Sequence, residues 1–197
     1  MTQTQNVVLA ESLGTGQGKS RLAVDTAFVL AGVALLTLCA KVQFWLPGSP
    51  VPATLGTFGV LIVGAGYGAR LGVVTLVAYL MLGAAGAAVF AGEKAGLAYL
   101  TGGTGGYLLG YVLAAGAVGA LARRGWDRSI VWMALALILG NALIYVPGLL
   151  WLRGFADSWA QTLAWGITPY LLGDALKLAL AALLLPSLWL LRATFSR

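Results

Sequence analysis

The chain has 197 residues, 60% of them hydrophobic and 9% charged, with a mean hydropathy of +0.91, which excludes an ordinary water-soluble domain. Its formal charge of +6 does not mark a nucleic-acid binder, because the basic residues stand at the ends of apolar stretches rather than in runs interleaved with aromatics. The absence of histidine excludes His-ligated metal sites, and a single cysteine, Cys39, excludes an intramolecular disulfide.

Residues 1–22 read as a flexible tail. Within it, "GTGQGKS" (residues 14–20) resembles a phosphate loop but has three residues between Gly14 and Gly18, where a Walker A loop needs four and a strand ahead of it. Six apolar stretches follow, at 26–46, 53–69, 71–91, 97–121, 130–152 and 163–191, most of them near the ~20 residues that cross a bilayer as a helix. They predict an all-α integral membrane protein, a six-helix bundle over residues 23–192, with a short C-terminal tail at 193–197. The first stretch is too long and too far from the N-terminus for a cleaved signal peptide.

The first helix carries Ala23, Ala27 and Ala31 at a four-residue interval beside Gly32. Small residues so spaced let helix backbones approach closely in lipid, either within the bundle or against another membrane subunit. Next, "LPGSPVPATLGTF" (46–58) breaks the chain: prolines 47, 50 and 52 fix the backbone and remove donors, so this is a stiff loop, either a tight reversal or a lid. Pro50, Val51, Pro52 and Thr54 are its candidate lid residues, and Thr57 can cap the following helix or reach a ligand.

In "FAGEKAGLAYLTGGTGGYLLGY" (90–111), glycines 102, 103, 105 and 106 surround Thr104. Such backbone at membrane depth is tolerated where protein buries it or a cavity lies beside it, so close packing and a ligand-facing turn at Gly103 and Thr104 both remain open. In "LGNALIYVPGLLWL" (139–152), Asn141 and Tyr145 share one helix face at i,i+4. They are inter-helical glue or a pocket wall, and Pro147 is expected to kink the helix beyond them.

The last stretch holds "GDALKLAL" (173–180), with Asp174 and Lys177 three residues apart near its middle. Each costs about 2.5–3.5 kcal/mol at a helix centre, so something must offset them. At i,i+3 they can pair with each other or bind a ligand jointly. A buried pair contributes little net stability, which favours a ligand site. The preceding "GITPYLLGD" makes the outer half of this helix irregular.

Charge distribution sets the orientation. Lys19, Arg21, Arg70, Arg123, Arg124, Arg128, Arg192 and Arg197 lie on one side of the predicted bundle, against Lys94 and Arg153 with Glu93 and Asp157 on the other. The positive-inside rule then places both termini in the cytoplasm of a multi-pass cell-membrane protein. Thr104, Tyr107, Asn141, Tyr145, Asp174 and Lys177 fall in the middle or outer half below the Pro-rich loop. That arrangement fits a small polar-headed molecule entering from outside.

"SPVPATLGTFGVLIVG", "VFAG", "GGTGGYLLGY", "LIYVPGLLWL" and "GDALKLALAA", in this order and spacing over roughly residues 40–185, resemble the BioY family, the biotin-specific S components of energy-coupling-factor transporters. The resemblance implies a six-helix subunit that captures biotin from the outside with no ATPase or cofactor of its own. ATP would be used by two ABC-type ATPase subunits, linked through a transmembrane coupling subunit. Ala23, Ala27 and Ala31 match the family's docking face for that subunit. The family's Asp-x-x-Lys falls on Asp174 and Lys177, and its Thr-Gly-Gly-Tyr on Thr104, Gly105, Gly106 and Tyr107.

Biotin presents two ureido N–H donors, one ureido carbonyl, an apolar bicycle and a carboxylate. Asp174 suits the N–H groups, Lys177 either the carbonyl or the carboxylate, and Phe90, Tyr107 and Tyr145 the bicycle. The sequence departs from the family pattern at Gly56, where Gln is usual, at Ala87 and Ala88 in place of Leu-Pro, and at Leu172 in place of Pro. Alternatives are an S component for another vitamin or small carboxylate, and a homo-oligomer that transports biotin alone. An intramembrane enzyme using Asp174 as a base would lack a nucleophile–His pair or a metal cluster, and the chain is expected not to be an enzyme. A purely structural subunit is the remaining reading.

Overall fold

The structure, a computed structural model, describes residues 7–13, 19–44 and 49–195. The Gly-rich motif at residues 14–18, Pro47 in the loop, and residues 196–197 lie outside the described residues. The architecture is almost wholly helical: α1 Leu9–Leu13, α2 Lys19–Lys41, α3 Gly56–Ala84, α4 Leu97–Leu100, α5 Gly105–Arg123, α6 Ile130–Leu152, α7 Trp159–Gly166 and α8 Leu171–Phe195. A two-stranded antiparallel ribbon, β1 Gln43–Phe44 with β2 Ala53–Thr54, pairs Gln43 with Thr54 and Phe44 with Ala53.

Five helical segments among the described residues are long and apolar enough to cross a membrane: Arg21–Lys41, Gly56–Ala84, Gly105–Arg123, Ile130–Phe155 and Trp159–Leu191. The sequence leads one to expect six stretches. The difference lies in α3, which spans the second and third of them with a break at Gly68 (φ 77°, ψ 172°). Eight residues of straight helix separate two Cα atoms by about 12 Å. Yet a Cβ added to Gly72 would lie 3.4 Å from the Cα of Gly64, so the chain folds back on itself between them.

Other boundaries move as well. The expected 97–121 helix divides into α4 and α5 around the glycine turn, and the 163–191 helix divides into α7, a 3-10 turn at Thr168–Tyr170, and α8. Helix α6 runs through Pro147 as one element. The α1 helix lies inside the segment expected to be a tail, with the fully buried Val8 ahead of it packed on Gly68 and Glu11 paired with Arg123.

Helix α5 packs between α3 and α6. The contact requires glycine: a Cβ at Gly64 would meet Ala115 Cα at 2.8 Å, and one at Gly110 would meet Ile144 Cα at 2.7 Å. In lipid, where apolar surface gains nothing by leaving its solvent, such close backbone approach is what holds helices together. The glycine-rich stretch therefore serves packing: a side chain at Gly106 would collide with Trp151 and the Pro147 carbonyl. Near the loop joining α5 and α6, the buried Asp127 accepts a 2.6 Å bond from the Trp189 indole and ties α8 to the turn. Burial pushes its carboxyl above the usual range, opposed by that bond and by Arg128.

The reversal at Gly68 generates a prediction. A Cβ there would meet Val8 at 3.1 Å in a backbone region L residues rarely adopt, so Gly68→Ala should destabilise the protein by about 1–3 kcal/mol. Gly66→Ala meets nothing within 4 Å and should be neutral or stabilising. Thermal unfolding of both variants in detergent checks the contrast.

Candidate functional site

Helix α8 is exposed along most of its surface and buries one narrow stripe, in which Asp174 is followed by Lys177, Leu178, Ala181 and Leu185. An amphipathic pattern in a membrane helix thus runs in reverse, with the charges on the inward face. Asp174 is 4% exposed. Its Oδ1 accepts from Lys177 Nζ at 2.9 Å and distantly from Thr57 Oγ1 at 3.5 Å. Its Oδ2 accepts from the Tyr145 hydroxyl at 2.5 Å and distantly from Asn141 Nδ2 at 3.4 Å. Lys177 Nζ also donates to the Thr54 carbonyl at 2.7 Å and lies 3.4 Å from Thr57 Oγ1. The pair is closed on itself and on the loop above it.

A cavity of about 70 Å³ opens beside the pair, with room for several waters. Six of the chain's seven tyrosines line it: Tyr79, Tyr99, Tyr107, Tyr111, Tyr145 and Tyr170. Tyr107 and Tyr145 meet edge to face at 6.1 Å, and Phe90 stacks on Tyr99 at 4.9 Å while meeting Tyr79 edge-on at 5.4 Å. The Tyr107 hydroxyl is fixed by the Gly166 carbonyl at 2.9 Å. Aromatic walls with a few convergent polar groups are the usual make-up of a small-molecule site.

The loop forms the roof, with Val51, Pro52, Ala53 and Thr54 among its lining residues. Tyr170 donates to the Val51 carbonyl at 2.6 Å, and Ser49 donates to the Trp165 carbonyl at 2.9 Å. The ribbon and these bonds hold the roof on the irregular entry to α8.

Of the residues singled out in the sequence, the structure brings Asp174, Lys177, Thr104, Tyr107, Tyr145, Phe90, Val51, Pro52 and Thr54 together around this cavity. Asn141 reaches Asp174 but does not line the cavity. Gly103 and Pro50 lie outside it, against each other: a Cβ on Gly103 would sit 3.7 Å from Pro50. Ala23, Ala27 and Ala31 are all on an exposed face of α2, whereas Gly32 faces inward, where a Cβ would meet Tyr67 at 2.9 Å.

Sequence reasoning missed Tyr79, Tyr99, Tyr111 and Tyr170, and left Thr57 as an alternative. A signal existed for Tyr111, since Thr104, Tyr107 and Tyr111 fall at i, i+3 and i+7 on one face of α5. The departure at Gly56 is now located: a side chain there would meet the Tyr111 hydroxyl at 2.7 Å and Thr54 Oγ1 at 2.9 Å.

Residues 10–194 match the model of the BioY family. The chain belongs to the BioY family. Among its relatives, a BioY protein described as a biotin transporter from Thermotoga maritima is 32% identical over 156 residues, 79% of this chain and 91% of the relative. A probable BioY biotin transporter from Pyrococcus horikoshii is 32% identical over 162 residues, 82% and 94% of the two chains. The crystal structure of an S-component for biotin from an ECF-type ABC transporter superposes with a TM-score of 0.78 at 20% identity, covering 88% of this BioY chain and 94% of that one. The two chains therefore share a fold.

Removing one member of the pair should be costly. Lys177→Met leaves the Asp174 carboxylate uncompensated and should destabilise by roughly 3–5 kcal/mol, while the double variant Asp174→Asn/Lys177→Met should recover most of that. A double-mutant cycle of thermal or denaturant unfolding in detergent measures both.

Proposed function

We propose that this chain captures biotin from the outer face of the cell membrane and passes it inward as the S component of an energy-coupling-factor transporter. The observation that supports it most is the buried Asp174–Lys177 pair beside a tyrosine-walled cavity under a Pro-rich roof, in a chain of the BioY family. In this role it is a transport subunit rather than an enzyme. Asp174 accepts the ureido N–H groups in place of its distant donors, Thr57 and Asn141. Lys177 donates to the ureido carbonyl or the carboxylate, and the aromatic rings pack the bicycle. The cavity of about 70 Å³ is smaller than a bicyclic ligand with a tail, so the Pro50–Thr54 roof lifts to admit it.

The break at Gly68 supports a six-crossing topology, in which α3 passes the membrane as a hairpin and α2, α5, α6 and α8 supply the other four crossings. With both termini in the cytoplasm, the cavity faces outward and Arg70, Arg123 and Arg128 face inward. The exposed Ala23–Ala27–Ala31 face supports docking of a transmembrane coupling subunit, which would link the chain to two ATP-hydrolysing subunits.

Equilibrium binding of labelled biotin to the purified chain in detergent tests this reading. Saturable, roughly one-to-one binding is expected, and displacement by a different vitamin instead of biotin would replace the substrate. Asp174→Asn should weaken biotin binding by about 1–3 kcal/mol, the scale of a hydrogen bond to a charged group. Unchanged affinity in a folded variant would remove Asp174 from the site.

A further inference from the structure

A second cleft lies at the opposite end of the bundle from the tyrosine cavity, between α1, α2 and the turn of α3 at Gly68. It is large, about 1100 Å³, and its lining includes Arg21, Arg70, Arg123 and Arg128 against two carboxylates, Glu11 and Asp25, an excess of two positive charges. Among the described residues Arg21 and Arg70 make no ion pair and are exposed. Phe28, Val29, Leu71 and Val74 give the same cleft an apolar lining beside these charges. The proposed biotin site uses none of these residues.

We propose that this cleft binds an anionic phospholipid, with its phosphodiester among the arginines and an acyl chain along Phe28, Leu71 and Val74. Guanidinium groups match phosphate oxygens in a two-pronged geometry, and Arg is the residue that exploits it. Within the cleft Arg123 is already paired with a carboxylate, that of Glu11 in α1. A soluble phosphate would use the arginines alone. The apolar wall, and the position at the ends of segments apolar enough to cross a membrane, call for a ligand with both a charged head and a tail. Glu11 then competes with the lipid for Arg123, so that lipid occupancy and the seating of α1 oppose each other.

The test uses full-length protein purified in detergent and stripped of lipid, with native mass spectrometry for binding and thermal unfolding for stability. Phosphatidylglycerol should be retained and should raise the melting temperature more than phosphatidylcholine does. Arg21→Gln/Arg70→Gln should lose roughly ten- to thirty-fold in phosphatidylglycerol affinity. Glu11→Gln should bind it more tightly, a gain that a misfolded variant cannot produce. Equal retention of phosphatidylcholine, or unchanged affinity in the double arginine variant, would overturn the proposal. Equal binding of free glycerol phosphate would overturn it in favour of a soluble-anion site. None of these outcomes depends on whether biotin is the substrate.

Discussion

The carboxylate of Asp174 is the group the rest of this structure must satisfy. A charge at that depth is stable only with partners supplied by the protein, since lipid offers none. Those partners come from three helices: Thr57 of α3, Asn141 and Tyr145 of α6, and Lys177 of α8 itself. Lys177 then reaches the Thr54 carbonyl in the roof. One buried anion therefore fixes how α3, α6, α8 and the roof meet. The tyrosine cavity is the space this meeting leaves.

Holding a polar centre in place requires helices that approach closely without a hydrophobic force to drive them together. Helix α5 does this with glycine on both sides, Gly64 of α3 against Ala115 and its own Gly110 against Ile144. The same economy of volume lets the Tyr107 ring lie over Gly148 and its hydroxyl reach the carbonyl of Gly166. Helix α2 is placed differently, with little of its surface buried and its alanines facing out. A bundle tightly knit around α5 and loosely attached along α2 separates the packed core around the cavity from an exposed helix face.

Most of the candidate site was legible because its chemistry violates the rules of its surroundings. Asp174 and Lys177 are conspicuous in an apolar stretch, and prolines 50 and 52 are conspicuous between two helices. Tyr79, Tyr99 and Tyr170 were not legible, because tyrosine is an ordinary residue near membrane interfaces and only the fold shows that these rings converge. The break in α3 was read as a boundary between two apolar stretches, yet the signal that makes it a sharp reversal is the single residue Gly68, whose φ of 77° no spacing rule reveals. The glycines after Thr104 carried two meanings in the sequence. Contact with α6 selects packing for Gly106 and Gly110, while Thr104 keeps its place in the cavity wall.

Within the proposed capture role, the hydrogen bonds of Lys177 tie recognition to the position of the roof. Its ammonium has three N–H groups, and the structure aims them at Asp174, Thr57 and the Thr54 carbonyl. A ligand that takes a bond from Lys177 must displace one of these acceptors. Displacing Thr57, at 3.4 Å, costs little and leaves the roof in place. Displacing the Thr54 carbonyl, at 2.7 Å, releases the ribbon end of the roof, though Tyr170 and Ser49 still hold its other side. A ligand shifts a conformational equilibrium only through contacts that differ between the two states. The bond from Lys177 to Thr54 is such a contact, because it exists only while the roof is down and the amine has no better acceptor.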